Sequence, residues 1–259
     1  MAIGLALAVI DKVWAIADPS DLHFCVITEE VFMSATAATM TLEQAITSRR
    51  SVRGYLDKEV PQDILDQIFE LAQLAPSNCN VQPWKVYVAS GELKNRLRDQ
   101  MVHNVMNAVP FNPDYEYADT FTGEYRERQV ACAMELYGAM GIERGDKAGR
   151  ARASLRNFEM FDAPHVVFIG MDKSFGASVA IDVGMYMQNL MLVMTAFGVG
   201  CCPQGTMRYY PDLVRQAFDI SDDVNILLGI SFGYEDPAVP ANNTRVGRVG
   251  IDQAVQFRR

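Results

Sequence analysis

The amino-acid sequence predicts an α+β fold, or an α/β fold with a small sheet, and three observations lead to this prediction. Segments with helical spacing of apolar residues alternate with only a few short, apolar β-type runs. The 259-residue chain is 49% hydrophobic and 21% charged, which is typical of one large globular domain or two small ones. The GxGxxG and Walker A motifs are absent from the sequence, which argues against a Rossmann dehydrogenase.

The helices are predicted from their caps and from their apolar spacing. Thr41 and Gln44 form a capping-box pattern that indicates a helix start. Pro61 marks the first turn of a second helix, whose apolar residues recur at helical spacing until Pro76 ends it. Further helices are predicted at residues 91–101, about 122–140, 180–197 and 211–218.

Compact apolar runs predict the strands, at residues 84–89, 164–171, 198–202 and 225–232. Residues 104–119 are rich in Pro, Asn and Tyr and are predicted to form a connection, while the charged segment 143–161 is interpreted as a solvated helix face. Residues 180–197 are apolar nearly all round, so we expect the sheet to bury one side of this helix and a second subunit the other. Asp182, Gln188 and Asn189 argue against a membrane span.

Charge and cysteine content exclude several classes of protein. The net charge of −9 argues against a nucleic-acid binder, although a few local arginines can still hold a phosphate. The five cysteines form no CxxC pair and the three histidines are dispersed, so neither a disulfide framework nor a metal site is expected. This pattern favours a reducing, cytoplasmic compartment.

The N-terminal residues 1–40 are predicted to be an extension outside the main domain of residues 41–259. Their first ten residues are apolar, but they are too few to span a bilayer, and no basic segment precedes them. Met33 and Met40 could each be a start codon. An upstream extension of the reading frame, or a loosely attached tail, is therefore favoured over a targeting segment.

Two short motifs carry most of the functional information. Residues 48–53 (SRRSVR) place three arginines and two hydroxyls together, which suits a phosphate. Arginines at a helix end can simply complement its dipole, but Ser51 and Arg53 lie beyond the predicted helix. Residues 76–84 (PSNCNVQPW) form a turn rich in amides and hydroxyls, which can hydrogen-bond the edge of a planar heterocycle.

In this order and spacing, the two motifs resemble those of the nitroreductase family of flavin mononucleotide (FMN) enzymes. The resemblance extends over roughly residues 41–255 and includes segments 182–190, 203–205, 228–234 and 243–248. It implies an α+β fold with a mixed central sheet flanked by helices. It also implies an intertwined homodimer with two FMN molecules at the subunit interface, and a C-terminal arm that reaches over the partner.

The resemblance also assigns roles to residues. Those expected to contact the FMN phosphate, the ribityl chain or the pyrimidine edge are Arg49, Arg50, Ser51, Arg53 and Arg248. Those expected to face the isoalloxazine from the other subunit are Pro76, Ser77 and Asn80, with Gln82 as a further contact. Backbone groups near the reactive face of the flavin are expected from Pro203, Gln204 and Gly205.

The implied chemistry is carried by the cofactor, so no catalytic side chain and no metal ligand is predicted. NADPH or NADH would reduce the flavin, and a small aromatic acceptor such as a nitroaromatic would reoxidise it in a ping-pong cycle. The substrate pocket could be lined by aromatic residues, namely Tyr115, Tyr117, Phe121, Tyr125 and Phe158. The alternatives are a quinone or enone reductase, a reductive dehalogenase, a flavin-fragmenting enzyme, or a non-catalytic flavin-binding dimer.

Overall fold

The computed structural model describes residues 40–116 and 120–259. The predicted N-terminal extension, apart from Met40, and the candidate pocket residue Tyr117 lie outside the described residues. Helices flank a four-stranded sheet, so the predicted α+β class is confirmed. The helices, in chain order, are α1 (Leu42–Ser48), α2 (Gln62–Ala72), α3 (Gly91–Met106), α4 (Gly123–Ala139), α5 (Lys147–Leu155), α6 (Ala177–Ala196), α7 (Pro211–Phe218) and α8 (Ile251–Ala254).

Local sequence signals account for several helix boundaries. At the start of α1, the Thr41 hydroxyl accepts a hydrogen bond from Gln44 N–H and the Gln44 side chain accepts one from Thr41 N–H, which is the predicted capping box. Helix α7 has Pro211 at its first turn and ends before Asp219, whose φ of 52° is left-handed. The solvated helix face predicted for residues 143–161 is found only in α5, which has no buried residue. The prediction is wrong at the end of the segment, where Phe158, Met160 and Phe161 are buried in the core.

The strands are β1 (Lys85–Ser90), β2 (His165–Asp172), β3 (Gly200–Gln204) and β4 (Val224–Gly233), in the order β1-β2-β4-β3. All neighbouring strands pair antiparallel. Within the described residues, the only parallel pairing is the isolated bridge between Ser51 and Cys201, so the expected mixed character of the sheet is limited to this contact. Strand β1 was predicted to be buried, but only Ala89 is, because β1 forms an edge of the sheet.

Strand β2 lies inside the sheet and divides the core into two layers. Val167, Ile169 and Met171 face the layer that contains α2 and α6, whereas Val166 and Phe168 face the layer that contains α3 and α7. Side chains alternate across a strand, so one apolar run fills both layers. This explains why residues 164–171 are continuously apolar rather than alternating with polar residues.

Helix α6 packs on the sheet as the predicted central helix. Val183, Leu190 and Met194 are fully buried, whereas Ile181 is 65% exposed on the opposite side. By length and composition alone, α6 is long and apolar enough to cross a membrane, and no other helix in the described part of the chain meets this test. Asp182 is buried in this helix and accepts a hydrogen bond from Asn78 N–H at 3.0 Å. These contacts are those of a core helix in a globular domain.

His165, at the start of β2, is held in its neutral form. Its Nε2 accepts a hydrogen bond from Val60 N–H at 2.9 Å, so the ring proton is on Nδ1, which lies 2.5 Å from Ser90 Oγ. The ring stacks on Phe232 with a centroid distance of 5.1 Å. Burial lowers the pKa of His165 below its usual value.

We expect His165 to make the fold less stable as the pH falls below about 6.5, the pKa of an unperturbed histidine. In that range the unfolded chain binds a proton that the folded chain does not. The free energy of unfolding therefore decreases, by at most about 1.4 kcal/mol per pH unit, until the lowered folded-state pKa is reached. Urea unfolding of the parent and of His165→Gln between pH 8 and 5 measures the difference. Parallel pH profiles for the two proteins would contradict the expectation.

Candidate functional site

A cavity of about 530 Å³ brings the first motif together with the C-terminal segment. We call it the arginine cavity. Five arginines line it together with smaller residues; the full lining is Thr47, Ser48, Arg49, Arg50, Ser51, Arg53, Cys132, Thr244, Arg245, Val246 and Arg248. All of the first-motif residues that were predicted to bind a cofactor lie in this wall, and so does Arg248.

The backbone after α1 positions these arginines. Arg49 caps the C-terminus of α1, and the chain then runs beside β3, where Val52 N–H donates to Cys201 O at 3.1 Å. Asn242 joins the two halves of the wall, because its Oδ1 accepts from Arg53 N–H at 2.6 Å and its Nδ2 donates to Gly54 O at 2.9 Å. Two segments that are far apart in the sequence therefore form one wall.

Carboxylates of the described residues leave most of the positive charge in the arginine cavity unpaired. Arg50 forms an ion pair with Glu235, and its Nε is buried without a hydrogen-bond partner in this part of the chain. Within residues 40–116 and 120–259, the other guanidinium groups of the wall form no ion pair, namely those of Arg49, Arg53, Arg245 and Arg248. Such a set of donors fits a phosphate group.

Gln204 uses its side chain to hold the end of β3. Ser231 Oγ donates to Gln204 Oε1, and Gln204 Nε2 donates to Asn157 O at 2.7 Å. Both ends of the amide are therefore bonded inside the protein, and the expected contact of the Pro203–Gln204–Gly205 backbone with a flavin stays a prediction. Gly205 is exposed, and a Cβ at this position would come within 2.6 Å of the Arg208 guanidinium.

The second motif forms an exposed loop with an unusual backbone. Cys79, Asn80 and Gln82 have φ values of 49°, 56° and 49°, a left-handed conformation that costs about 1–2 kcal/mol per residue other than glycine. Side chains hold the loop at both ends: Ser77 Oγ accepts from Gln82 N–H at 2.9 Å, and the Asp182 carboxylate accepts from Asn78 N–H. Asp182 was not predicted as a site residue, and only the folded chain brings it to the loop.

Within one chain, the structure does not bring the two motifs together. None of the predicted loop residues lines the arginine cavity or a second cavity, described below, that shares Arg53 with it. These residues are Pro76, Ser77, Asn80 and Gln82. Pro76 and Asn80 are exposed, and Ser77 and Gln82 are half-buried. Their expected place opposite the arginines therefore requires a second subunit, and it stays a prediction.

A second cavity, of about 450 Å³, shares Arg53 with the arginine cavity. We call it the apolar cavity. Its apolar wall consists of Leu136, Tyr137, Met140, Ile142, Ala153, Phe161, Val239, Pro240 and Ala241. The four described aromatics that were predicted for a substrate pocket do not line it: Phe158 is a core residue, Tyr115 packs against the main core, and Phe121 and Tyr125 are exposed. No pattern in the sequence distinguishes Tyr137 and Phe161 from core aromatics.

The cysteines near the arginines are structural. Burial raises the pKa of Cys201 to about 12 and that of Cys202 to about 11, so both thiols stay protonated at neutral pH. The four cysteines at positions 79, 132, 201 and 202 are free. In the described residues, no group of three or more His, Cys, Asp or Glu side chains is placed to hold a metal ion.

Sequence comparison gives the same family as the motifs. The profile of the nitroreductase family matches residues 46–234. The nitroreductase NfnB of Mycolicibacterium smegmatis is 36% identical over 229 residues, which are 86% of this chain and 97% of the relative. A 4-nitrobenzoate reductase of Pseudomonas putida is 33% identical over 212 residues, which are 81% of this chain and 92% of the relative.

Solved structures agree with this result. The crystal structure of the FMN-dependent nitroreductase NfnB from Mycobacterium smegmatis in complex with NADPH superposes with a TM-score of 0.80 at 36% identity, covering 84% of this chain and 97% of that one. The FMN- and NADPH-dependent NfnB from Sphigopyxis sp. strain HMH gives a TM-score of 0.82 at 32% identity, covering 85% and 100%. By its motifs, its fold and its relatives, this chain belongs to the nitroreductase family.

Proposed function

We propose that the protein is an FMN-dependent oxidoreductase that reduces nitroaromatic compounds with NADPH or NADH. The observation that carries the proposal is the arginine cavity, in which Arg49 and Arg53 of the SRRSVR motif meet Arg245 and Arg248 of the C-terminal segment. None of these four guanidinium groups pairs with a carboxylate of the described residues. Relatives named as nitroreductases and 4-nitrobenzoate reductases support the choice of acceptor. When bound, FMN would supply the hydride chemistry, accepting from the nicotinamide and giving to the nitro group.

The residues of the arginine cavity would hold the FMN phosphate. Arg49, Arg245 and Arg248 supply positive charge to the wall of the cavity, and Ser51 supplies a hydroxyl. Arg53 lies in the walls of both cavities, so it is placed to reach from the phosphate side toward the pyrimidine edge of the ring. The exposed backbone at Gly205 would face the ring, and its carbonyl oxygen also accepts a hydrogen bond from the Arg208 guanidinium at 2.9 Å.

The apolar cavity would accommodate aromatic rings. Arg152 and Arg156 also lie in its wall, but Glu159 pairs with both of them and Asp162 with Arg156. Arg53 is therefore the one cation of this wall, among the described residues, that has no carboxylate partner. A neutral or weakly anionic aromatic acceptor fits such a pocket better than a polyanion does.

An anaerobic absorbance spectrum tests the proposal. Purified protein reconstituted with FMN should show flavin bands that bleach with NADPH or NADH and recover when a nitrobenzoate is added, with hydroxylamine as the product. Recovery with a quinone but not with the nitroaromatic would show a different flavin reductase. Protein that binds no FMN, or flavin that never bleaches, would refute the proposed function.

We further propose a homodimer that forms through the exposed side of α6. Ile181, Met185 and Gln188 lie on this side at helical spacing, and Ile181 and Met185 are large apolar residues left exposed to solvent. A second copy on this surface would bury them. It would also bring a loop of residues 76–82 to each arginine cavity, as the family resemblance implies.

Replacing Ile181 by Glu is expected to yield monomers and to weaken FMN binding, because a buried carboxylate without a partner opposes association. Light scattering gives the mass of the particle, and fluorescence titration gives the FMN affinity. Met106→Glu is the matched control, since Met106 is 68% exposed at the end of α3. An Ile181→Glu protein that stays dimeric would rule out this interface.

A further inference from the structure

Helices α4 and α5 and their connection line a third cavity, of about 570 Å³, that is open to solvent and has no role in the function proposed above. We call it the α4–α5 cavity. Three arginines and one glutamate stand among mostly apolar residues; the full lining is Arg126, Gln129, Val130, Ala133, Met134, Tyr137, Gly138, Ile142, Glu143, Arg144 and Arg150. Even with Glu143 ionised, the wall carries a net positive charge in a protein whose net charge is −9.

The three arginines differ from the others on the same helices. Arg128 pairs with Glu124, and Arg152 pairs with Glu159. In contrast, Arg126, Arg144 and Arg150 form no ion pair with any carboxylate in residues 40–116 and 120–259. Arg126 donates to Gln129 Oε1, and Arg150 donates to the carbonyl of Arg144, so both of these contacts are with neutral oxygens. A wall with this positive charge would bind an anion.

The position of the α4–α5 cavity indicates which anion it would bind. Tyr137 and Ile142 lie in its wall and also in the wall of the apolar cavity. The apolar cavity in turn shares Arg53 with the arginine cavity. The three cavities therefore follow one another, with a basic region at each end and apolar walls between them. A ligand that joins an aromatic ring near the flavin to a remote phosphate matches this order.

We propose that the α4–α5 cavity binds the adenosine end of NADPH, with Arg126 and Arg144 on its 2′-phosphate. The inference rests on the proposed function, and it names NADPH rather than NADH as the preferred donor. NADH lacks this phosphate, so only NADPH gains the charge-assisted hydrogen bonds to the two guanidinium groups. Val130, Met134 and Tyr137 provide apolar surface against which the adenine ring can pack.

A binding experiment tests the proposal without flavin chemistry. Calorimetry would compare adenosine 2′,5′-bisphosphate with adenosine 5′-monophosphate on the full-length protein. We expect the bisphosphate to bind at least about tenfold more tightly. We also expect the Arg126→Gln, Arg144→Gln double variant to lose that preference, because a tenfold change is about 1.4 kcal/mol, less than one charge-assisted hydrogen bond contributes. Arg150 is left unchanged because its guanidinium holds the backbone at Arg144.

Two further variants control for nonspecific effects. Arg128→Gln removes an arginine of the same helix that lies outside the cavity and is paired with Glu124, and it should keep the preference. Arg126→Lys combined with Arg144→Lys retains the charge and should restore a large part of the preference. A protein that fails to fold would lose the binding of both nucleotides, whereas the proposal requires loss of the difference between them.

Kinetics provides the second measurement. In the double glutamine variant, the ratio of kcat/KM with NADPH to kcat/KM with NADH should fall by at least about tenfold, because the charge-assisted hydrogen bonds to the 2′-phosphate are lost. A parent that reduces nitroaromatics but binds the two nucleotides equally would overturn this inference and leave the proposed function intact. A parent that prefers the bisphosphate, loses the preference in the double variant and shows no flavin reduction would support the site and refute the proposed function.

Discussion

Replacing Arg49 and Arg53 together by alanine is expected to weaken FMN binding by on the order of 100- to 10,000-fold, because each charge-assisted contact contributes about 1.5–3 kcal/mol. Both residues line the arginine cavity, and neither forms an ion pair with a described carboxylate. Arg50 is a less informative target because it pairs with Glu235, and its removal would leave that carboxylate without its partner.

The measurement is a fluorescence titration of flavin-free protein with FMN. A double variant with the same loss of charge, Arg98→Ala with Arg128→Ala, is the control, since these arginines pair with Asp99 and Glu124 and line none of the three cavities described above. Ion pairs of this exposed kind contribute about 0–1 kcal/mol, so the control should fold normally and bind FMN like the parent. Equal FMN affinities for the two double variants would show that the arginine cavity does not bind the FMN phosphate.

Local signals predicted most of the helices and strands. Helix α7 was predicted over its full length because Pro211 marks its start and because the apolar spacing ends with the helix. Helix α3 was predicted to end at residue 101 but continues to Met106, because Val102 and Val105 still pack against the second core layer. The boundary depends on tertiary packing, which the spacing within one segment does not reveal.

Only part of the candidate site could be predicted, because some of its residues lie far apart in the sequence. The arginines and hydroxyls of residues 48–53 lie next to one another in the chain, so their shared preference for a phosphate is visible in the sequence. Asn242, which joins Arg53 to the C-terminal wall, is 189 residues away from it. Asp182, which holds the loop at Asn78, is 104 residues away. A single Asn or Asp without a motif around it gives no indication of its partner.

Tyr186→Ala is expected to lower the free energy of unfolding by about 3–5 kcal/mol, the usual cost of deleting a buried aromatic ring. Tyr186 is 2% exposed, and its ring stacks on Trp84 with centroids 4.8 Å apart and an interplanar angle of 22°. Trp84 in turn donates from Nε1 to Gln73 Oε1 at 2.9 Å. The deleted ring would therefore leave a void between α6, α2 and the end of the second motif.

The same deletion should also affect the loop of residues 76–82, since only Pro83 separates Trp84 from it. That loop has several left-handed residues, so it keeps its shape only while its surroundings hold it. Chemical denaturation measures the stability, and FMN titration measures whether the loop still assists binding. Tyr186→Phe keeps the ring and should stay within about 1 kcal/mol of the parent, since isosteric changes cost little. Equal stability of Tyr186→Ala and Tyr186→Phe would refute the expected loss of unfolding free energy. Equal FMN affinity of the two variants would show that the stack on Trp84 does not support the loop, whose own hydrogen bonds, among them those of Asp182 and Ser77, would then be sufficient.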